Sequence, residues 1–204
     1  MQANTHAAVG VTIGLAVSFG QPSDMMLLAV TSAFVGSIIC DIDVGETGKR
    51  STPLILSAVS SLAVIFFSIF GYVFDTNTMM LWKKESGYLR SIIGITLFIG
   101  LCIYGSRKPH RSFMHSLLGM LLLGGGVYLI FPTASFYFLM GYVSHLILDI
   151  FNYRPVKLFY PIEKGYSLKR CYSKSRVNSI IFCAACALIA CIIILKFVVG
   201  SNGI

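Results

Sequence analysis

The chain has four histidines, and each stands at the edge of an apolar stretch. His6 opens the first stretch, His110 and His115 flank the start of a later one, and His145 lies near the end of the next. Three of the eight carboxylates join them. Asp41 and Asp43 follow the second apolar stretch, and Asp149 follows His145 by four residues. His145-Leu-Ile-Leu-Asp149 is an i, i+4 pair, so imidazole and carboxylate share one face of a helix and can grip one ion. Asp41-Ile-Asp43 sets two carboxylates on an irregular or extended turn, where alternate side chains diverge and reach two ions. His110 and His115 are too far round to share a helical face. They converge if His110 precedes the helix, behind Pro109, and His115 lies in its first turn. Seven N and O donors exceed the needs of one tetrahedral ion, so two divalent ions are expected, of zinc, manganese or iron rather than copper(I). Two such ions outweigh the charge of Asp41, Asp43 and Asp149 and would attract an anion such as phosphate. Arg50, Arg111 and Arg154 are the expected substrate clamps. Singly, each feature has a plainer reading: a solvated interfacial histidine, an Asp-x-Asp helix stop, or arginines that anchor the topology.

Such residues need elements to position them, and the composition indicates which. Of 204 residues, 56% are hydrophobic and 12% charged, with a mean hydropathy of +0.80. A soluble protein averages about 25% charged residues, so a single soluble domain is excluded. Seven apolar segments are expected near 7–20, 25–40, 53–74, 88–105, 112–131, 134–151 and 177–199. The fold class is therefore all-α: a polytopic transmembrane helical bundle forming one membrane-embedded domain over residues 1–204. The first two segments fall short of the roughly 20 residues of a straight span. They form either a tight pair or a re-entrant hairpin. No signal peptide is expected, because residues 1–6 lack a basic region. Loops 41–52, 106–111 and 152–176 carry 12 of the 16 cations, and the net charge is +8. That asymmetry is read as orientation rather than nucleic-acid binding. It puts the N-terminus and these loops in the cytoplasm, with 152–176 as a basic cytoplasmic-face loop. Alternating segment directions then bring all seven donors to one depth of the membrane, where ionisable groups are costly unless paired or bound.

Cys183-Ala-Ala-Cys186 has a redox spacing but lies within an apolar run, so buried small hydrophobes are expected there. Tyr142, Tyr153, Tyr160 and Trp82 are expected in an interface belt, and Gly124-Gly125-Gly126 in close helix packing.

Several stretches together resemble the YdjM-like family of LexA-regulated inner-membrane proteins, which are described as metal-dependent hydrolases. They are Thr5-His6, Cys40-Asp41-Ile42-Asp43, His110-Arg-Ser-Phe-Met-His115-Ser116, Gly141-Tyr-Val-Ser-His145-Leu-Ile-Leu-Asp149 and Leu158-Phe-Tyr-Pro161. Cys40, Val44-Gly45, Ser112 and Met114 depart from the family's usual residues. A looser likeness connects the donor pattern to zinc-dependent phospholipase C and P1-type nuclease sites.

The resulting expectation is a metal-dependent hydrolase of the bacterial inner membrane, with its site at the cytoplasmic face. It would cleave a phosphoester of a membrane lipid or lipid-linked phosphate by a metal-activated water, with Asp43, His115 and Arg111 in the chemistry. Two other functions fit the same residues. One is a divalent-metal or proton transporter, disfavoured because the opposite halves of the segments are almost without polar groups. The other is a non-catalytic membrane protein stapled by a structural metal.

Overall fold

The computed structural model describes residues 1–44, 77–173 and 175–201. Its regular structure there is helical, apart from two isolated bridges, Asn152 with Cys171 and Val156 with Tyr166. The helices are α1 (Ala3–Val17), α2 (Ser23–Ile39), α3 (Asn77–Glu85), α4 (Tyr88–Ser106), α5 (Leu117–Ile130), α6 (Pro132–Ile150) and α7 (Arg176–Ser201). Short 3-10 turns, Cys40–Asp43 and Phe113–His115, follow α2 and precede α5.

Four described helices are long and apolar enough to cross a membrane: Ser23–Asp43, Tyr88–Ser106, Pro132–Ile150 and Arg176–Val198. Ala3–Val17 and Leu117–Ile130 are shorter apolar helices. The all-α, multi-pass architecture stands, while the expected segment at 53–74 lies outside the described residues. The 3-10 turn lets α2 reach spanning length. Residues 77–85, which fall between two of the expected segments, form a helix at the end of the bundle remote from the histidines. There Trp82 Nε1 donates to the Ile130 carbonyl at 3.0 Å. The Glu85 carboxylate accepts from Thr133 N (3.1 Å) and Oγ1 (2.7 Å) in the first turn of α6. The α6 start is marked by Pro132, whose fixed φ and missing N–H suit a first helical position.

In the bundle α2 lies between α1 and α6, α5 packs on α6, α4 packs on α5, and α7 leans chiefly on α1. The α2–α6 contact is the closest. A Cβ on Gly36 would stand 2.0 Å from the Phe138 carbonyl oxygen, and one on Gly141 would stand 2.0 Å from that of Ala33. Small residues at such crossings let backbones touch where lipid supplies no hydrophobic drive. Gly124 also meets Leu139 closely, whereas Gly125 faces open space.

Two expectations about burial are corrected. Tyr142 is fully buried in the core around Ile39, Phe113, Met114 and Phe138, and its hydroxyl donates to the Met114 carbonyl. It lies on the face of α6 turned to α2 and α5, not in an interface belt. Cys183, Cys186 and Cys191 are exposed, because α7 turns most of its surface away from the bundle. Only Cys40, Cys102 and Cys171 are buried.

Candidate metal centre

Every donor singled out in the sequence sits at one end of the bundle, at the start of α1, the end of α2, the segment before α5 and the end of α6. The close α2–α6 crossing places His145 against the last turn of α2, whose carbonyls have no intrahelical partner. His145 Nδ1 donates to the Ser37 carbonyl at 2.6 Å. The neutral ring therefore presents its Nε2 lone pair to the interior. That Nε2 lies 3.2 Å from His115 Nε2, 3.7 Å from Asp41 Oδ1 and 4.0 Å from Asp149 Oδ2. His115 Nε2 is 3.6 Å from Asp41 Oδ1 and 3.6 Å from Asp149 Oδ2.

His115 belongs to the 3-10 turn and precedes α5, rather than lying in the helix's first turn. Ser116 takes the N-cap position, accepting from Gly119 N at 3.0 Å. The turn swings His115 inward, where it is fully buried. Burial alone would favour the neutral imidazole, but the carboxylates of Asp41 and Asp43 hold its pKa up at about 9.

The two carboxylates of the 3-10 turn diverge as expected. Asp41 faces His115 and His145, whereas Asp43 receives His110 Nδ1 at 2.7 Å and the Arg111 backbone N–H at 3.2 Å. Asp43 also lies 3.3 Å from His115 Nδ1. His6 stacks on His145 with ring centroids 3.8 Å apart and approaches Asp149 Oδ1 to 3.4 Å. Arg111 adopts φ 66°, a left-handed conformation uncommon for a residue with a side chain. It is buried with its guanidinium 3.1 Å from Asp149 Oδ2 and donating to the Arg154 carbonyl. The side chain of Arg154 is exposed. Arg50 lies outside the described residues.

Three overlapping triads each offer donor atoms within 4.8 Å of one another: His6, Asp41 and His145; Asp41, His110 and His115; and His115, His145 and Asp149. These buried His/Asp clusters are capable of coordinating metal, with capacity for two ions. The fit is chemical as well as geometric. Both ring nitrogens of buried His6 lack a hydrogen-bond partner, a costly condition for groups that hold no ligand. Asp41 and His110, with 20% and 27% side-chain exposure, form the open edge of the cluster.

Some site features escaped the sequence reading. Asn178, at the head of α7, is buried and binds the Gln2 side chain (2.9 Å) and Thr5 Oγ1 (3.1 Å), tying α7 to the segment bearing His6. An asparagine at the start of an apolar run was the available signal. The Met1 amine also reaches Asp149 Oδ1 at 2.6 Å.

Fold and site together define a multi-pass, all-α membrane protein with a His/Asp cluster capable of coordinating metal at one end of its bundle. The chain belongs to the YdjM inner membrane protein family, which matches residues 1–202. No curated protein and no solved structure matches the chain.

Proposed function

We propose that this inner-membrane protein is a metal-dependent hydrolase cleaving a phosphoester of a lipid or lipid-linked substrate at the cytoplasmic face. The observation that carries this reading is the convergence of six donor residues from four separate segments, with its open edge at Asp41 and His110. His6, Asp41, His110, His115, His145 and Asp149 hold the ions. When bound, zinc or a similar divalent ion polarises a phosphoryl oxygen and lowers the pKa of water to near neutrality. Asp43 steadies His110 and His115. Arg111 fixes Asp149 through its guanidinium and Asp43 through its backbone N–H. Arg154 and the exposed cations of the 152–176 loop attract the anionic headgroup and favour a cytoplasmic position for this end.

The test is release of phosphate or headgroup from phospholipid and isoprenyl-phosphate classes by the full chain, purified in detergent and loaded with zinc or manganese. Cleavage that needs the ion and vanishes in His145→Ala supports the proposal. A folded, loaded protein inert toward every class refutes it and leaves the ion a structural staple.

A further inference from the structure

The donors of the cluster differ in the distances they keep from one another. In a charge-assisted hydrogen bond, nitrogen and oxygen approach to about 2.7–2.9 Å. His110 Nδ1 and Asp43 Oδ1, 2.7 Å apart, are such a pair. Four other atoms behave differently. Asp41 Oδ1, His115 Nε2, His145 Nε2 and Asp149 Oδ2 keep separations of 3.2, 3.6, 3.6, 3.7 and 4.0 Å over the five pairs that include a histidine. Only the His115–His145 pair, at 3.2 Å, is within hydrogen-bond reach; the other separations are too long for a hydrogen bond, and all are short enough to share a centre. Donors at ~2.0–2.2 Å from a tetrahedral zinc ion stand about 3.3–3.6 Å apart. Those around an octahedral ion at ~2.1 Å stand at about 3.0 Å.

The remaining ring nitrogens and oxygens hold this arrangement from behind. His145 Nδ1 is spent on the Ser37 carbonyl, and His115 Nδ1 faces Asp43 Oδ2 at 3.3 Å. Asp149 Oδ1 accepts from the Met1 amine at 2.6 Å, and the Arg111 guanidinium stands 3.1 Å from Asp149 Oδ2. A carboxylate or carbonyl behind a ligating histidine fixes its tautomer and ring plane. Asp43 belongs to none of the metal-competent triads.

We infer that Asp41, His115, His145 and Asp149 form one inner tetrahedral position for zinc, and that Asp43 is a positioning residue acting through His115 and His110 rather than a ligand. The inference rests on the metal-binding part of the reading above and deepens it. Three of the four donors are buried, so the ion is approached along Asp41.

The experiment uses the full chain in detergent, loaded with zinc and passed over a chelating resin, with metal measured by elemental mass spectrometry. At least one equivalent stays on wild type and on His110→Ala, and it is missing from His145→Ala and Asp149→Asn. Asp43→Asn keeps the ion with affinity weakened about 10–100-fold. Cobalt(II) in place of zinc gives wild type the intense visible bands of a tetrahedral ion, and Asp43→Asn shifts them. Weak octahedral-type bands would overturn the inference. So would loss of the ion from His110→Ala, or loss from Asp43→Asn as complete as from His145→Ala. The cobalt spectrum of wild type decides even where a ligand variant fails to fold. Wild type that takes up no ion overturns both this inference and the proposed function. An ion bound as described, with no phosphoester cleaved, overturns the hydrolase alone.

Discussion

His145 reaches across the helix interface to the backbone carbonyl of Ser37, 2.6 Å from its Nδ1. The bond depends on glycine at two places. Gly36 precedes Ser37, and Gly141 lies one turn before His145 on α6; each lets its helix touch the backbone of the other. Ring orientation at the cluster is therefore set by a backbone approach that no side-chain donor controls.

Gly141→Ala would force a methyl group to within 2.0 Å of the Ala33 carbonyl oxygen. The helices must part, at a cost of about 1–3 kcal/mol for overpacking. Thermal unfolding in detergent should show the loss, together with weaker zinc retention. Gly125→Ala is the control: nothing lies within 4 Å of its Cβ, and helix propensity favours alanine by up to ~1 kcal/mol.

Arg111 joins Asp149 and Asp43 from one position. Removing the guanidinium leaves the Asp149 carboxylate buried with less compensation, and breaking a buried pair costs about 3–5 kcal/mol. Arg111→Ala also retains the left-handed backbone requirement, whereas Arg111→Gly relieves it. The glycine variant should therefore melt higher than the alanine variant, with both below wild type. Equal melting temperatures for wild type and Arg111→Ala would contradict this role.

Zinc affinity should rise with pH. The imidazole of His115, with its pKa raised to about 9, carries a proton below that value in the metal-free protein. A ligating imidazole must be neutral, so binding expels the proton. The sign is fixed: affinity increases by about tenfold per pH unit from pH 7 and levels off above about 9. Calorimetry in buffers of different ionisation enthalpy should count about one proton released at pH 7. Affinity independent of pH over this range would contradict the assignment of His115.

Glu85 works at the opposite end of the bundle. Its carboxylate takes two hydrogen bonds from Thr133 at the head of α6, where a helix also favours negative charge. Glu85→Ala should lower stability by about 0.5–2 kcal/mol, as for other lost caps. Metal content should not change. Loss of zinc in this variant would mean that the two ends are coupled through α6.

The donors were legible because residue type and position are visible in a sequence. His145 and Asp149 share a helical face by arithmetic, and alternating apolar segments bring the others to the same end. The division of labour between Asp41 and Asp43 was not legible. It depends on a 3-10 turn that points one carboxylate at His145 and the other at His110. The Ser37 acceptor left no trace because a backbone carbonyl has no residue type. Tyr142 was misread because residue type alone suggests an interface anchor, whereas the packing of α6 turns it inward. The α3 helix was missed because Lys83, Lys84 and Glu85 break any apolar period; its role is to grip the α5–α6 turn from outside.

The four inner donors are scattered along the chain: Asp41 ends α2, His115 stands before α5, and His145 and Asp149 close α6. A nascent chain that stops short of α6 carries only two of them. During synthesis the early carboxylates therefore wait at the membrane edge until α6 has been inserted and has docked on α2. If the four donors hold an ion as inferred, its capture is a late event in biogenesis, and a bound ion marks that α2 and α6, made far apart in time, have met.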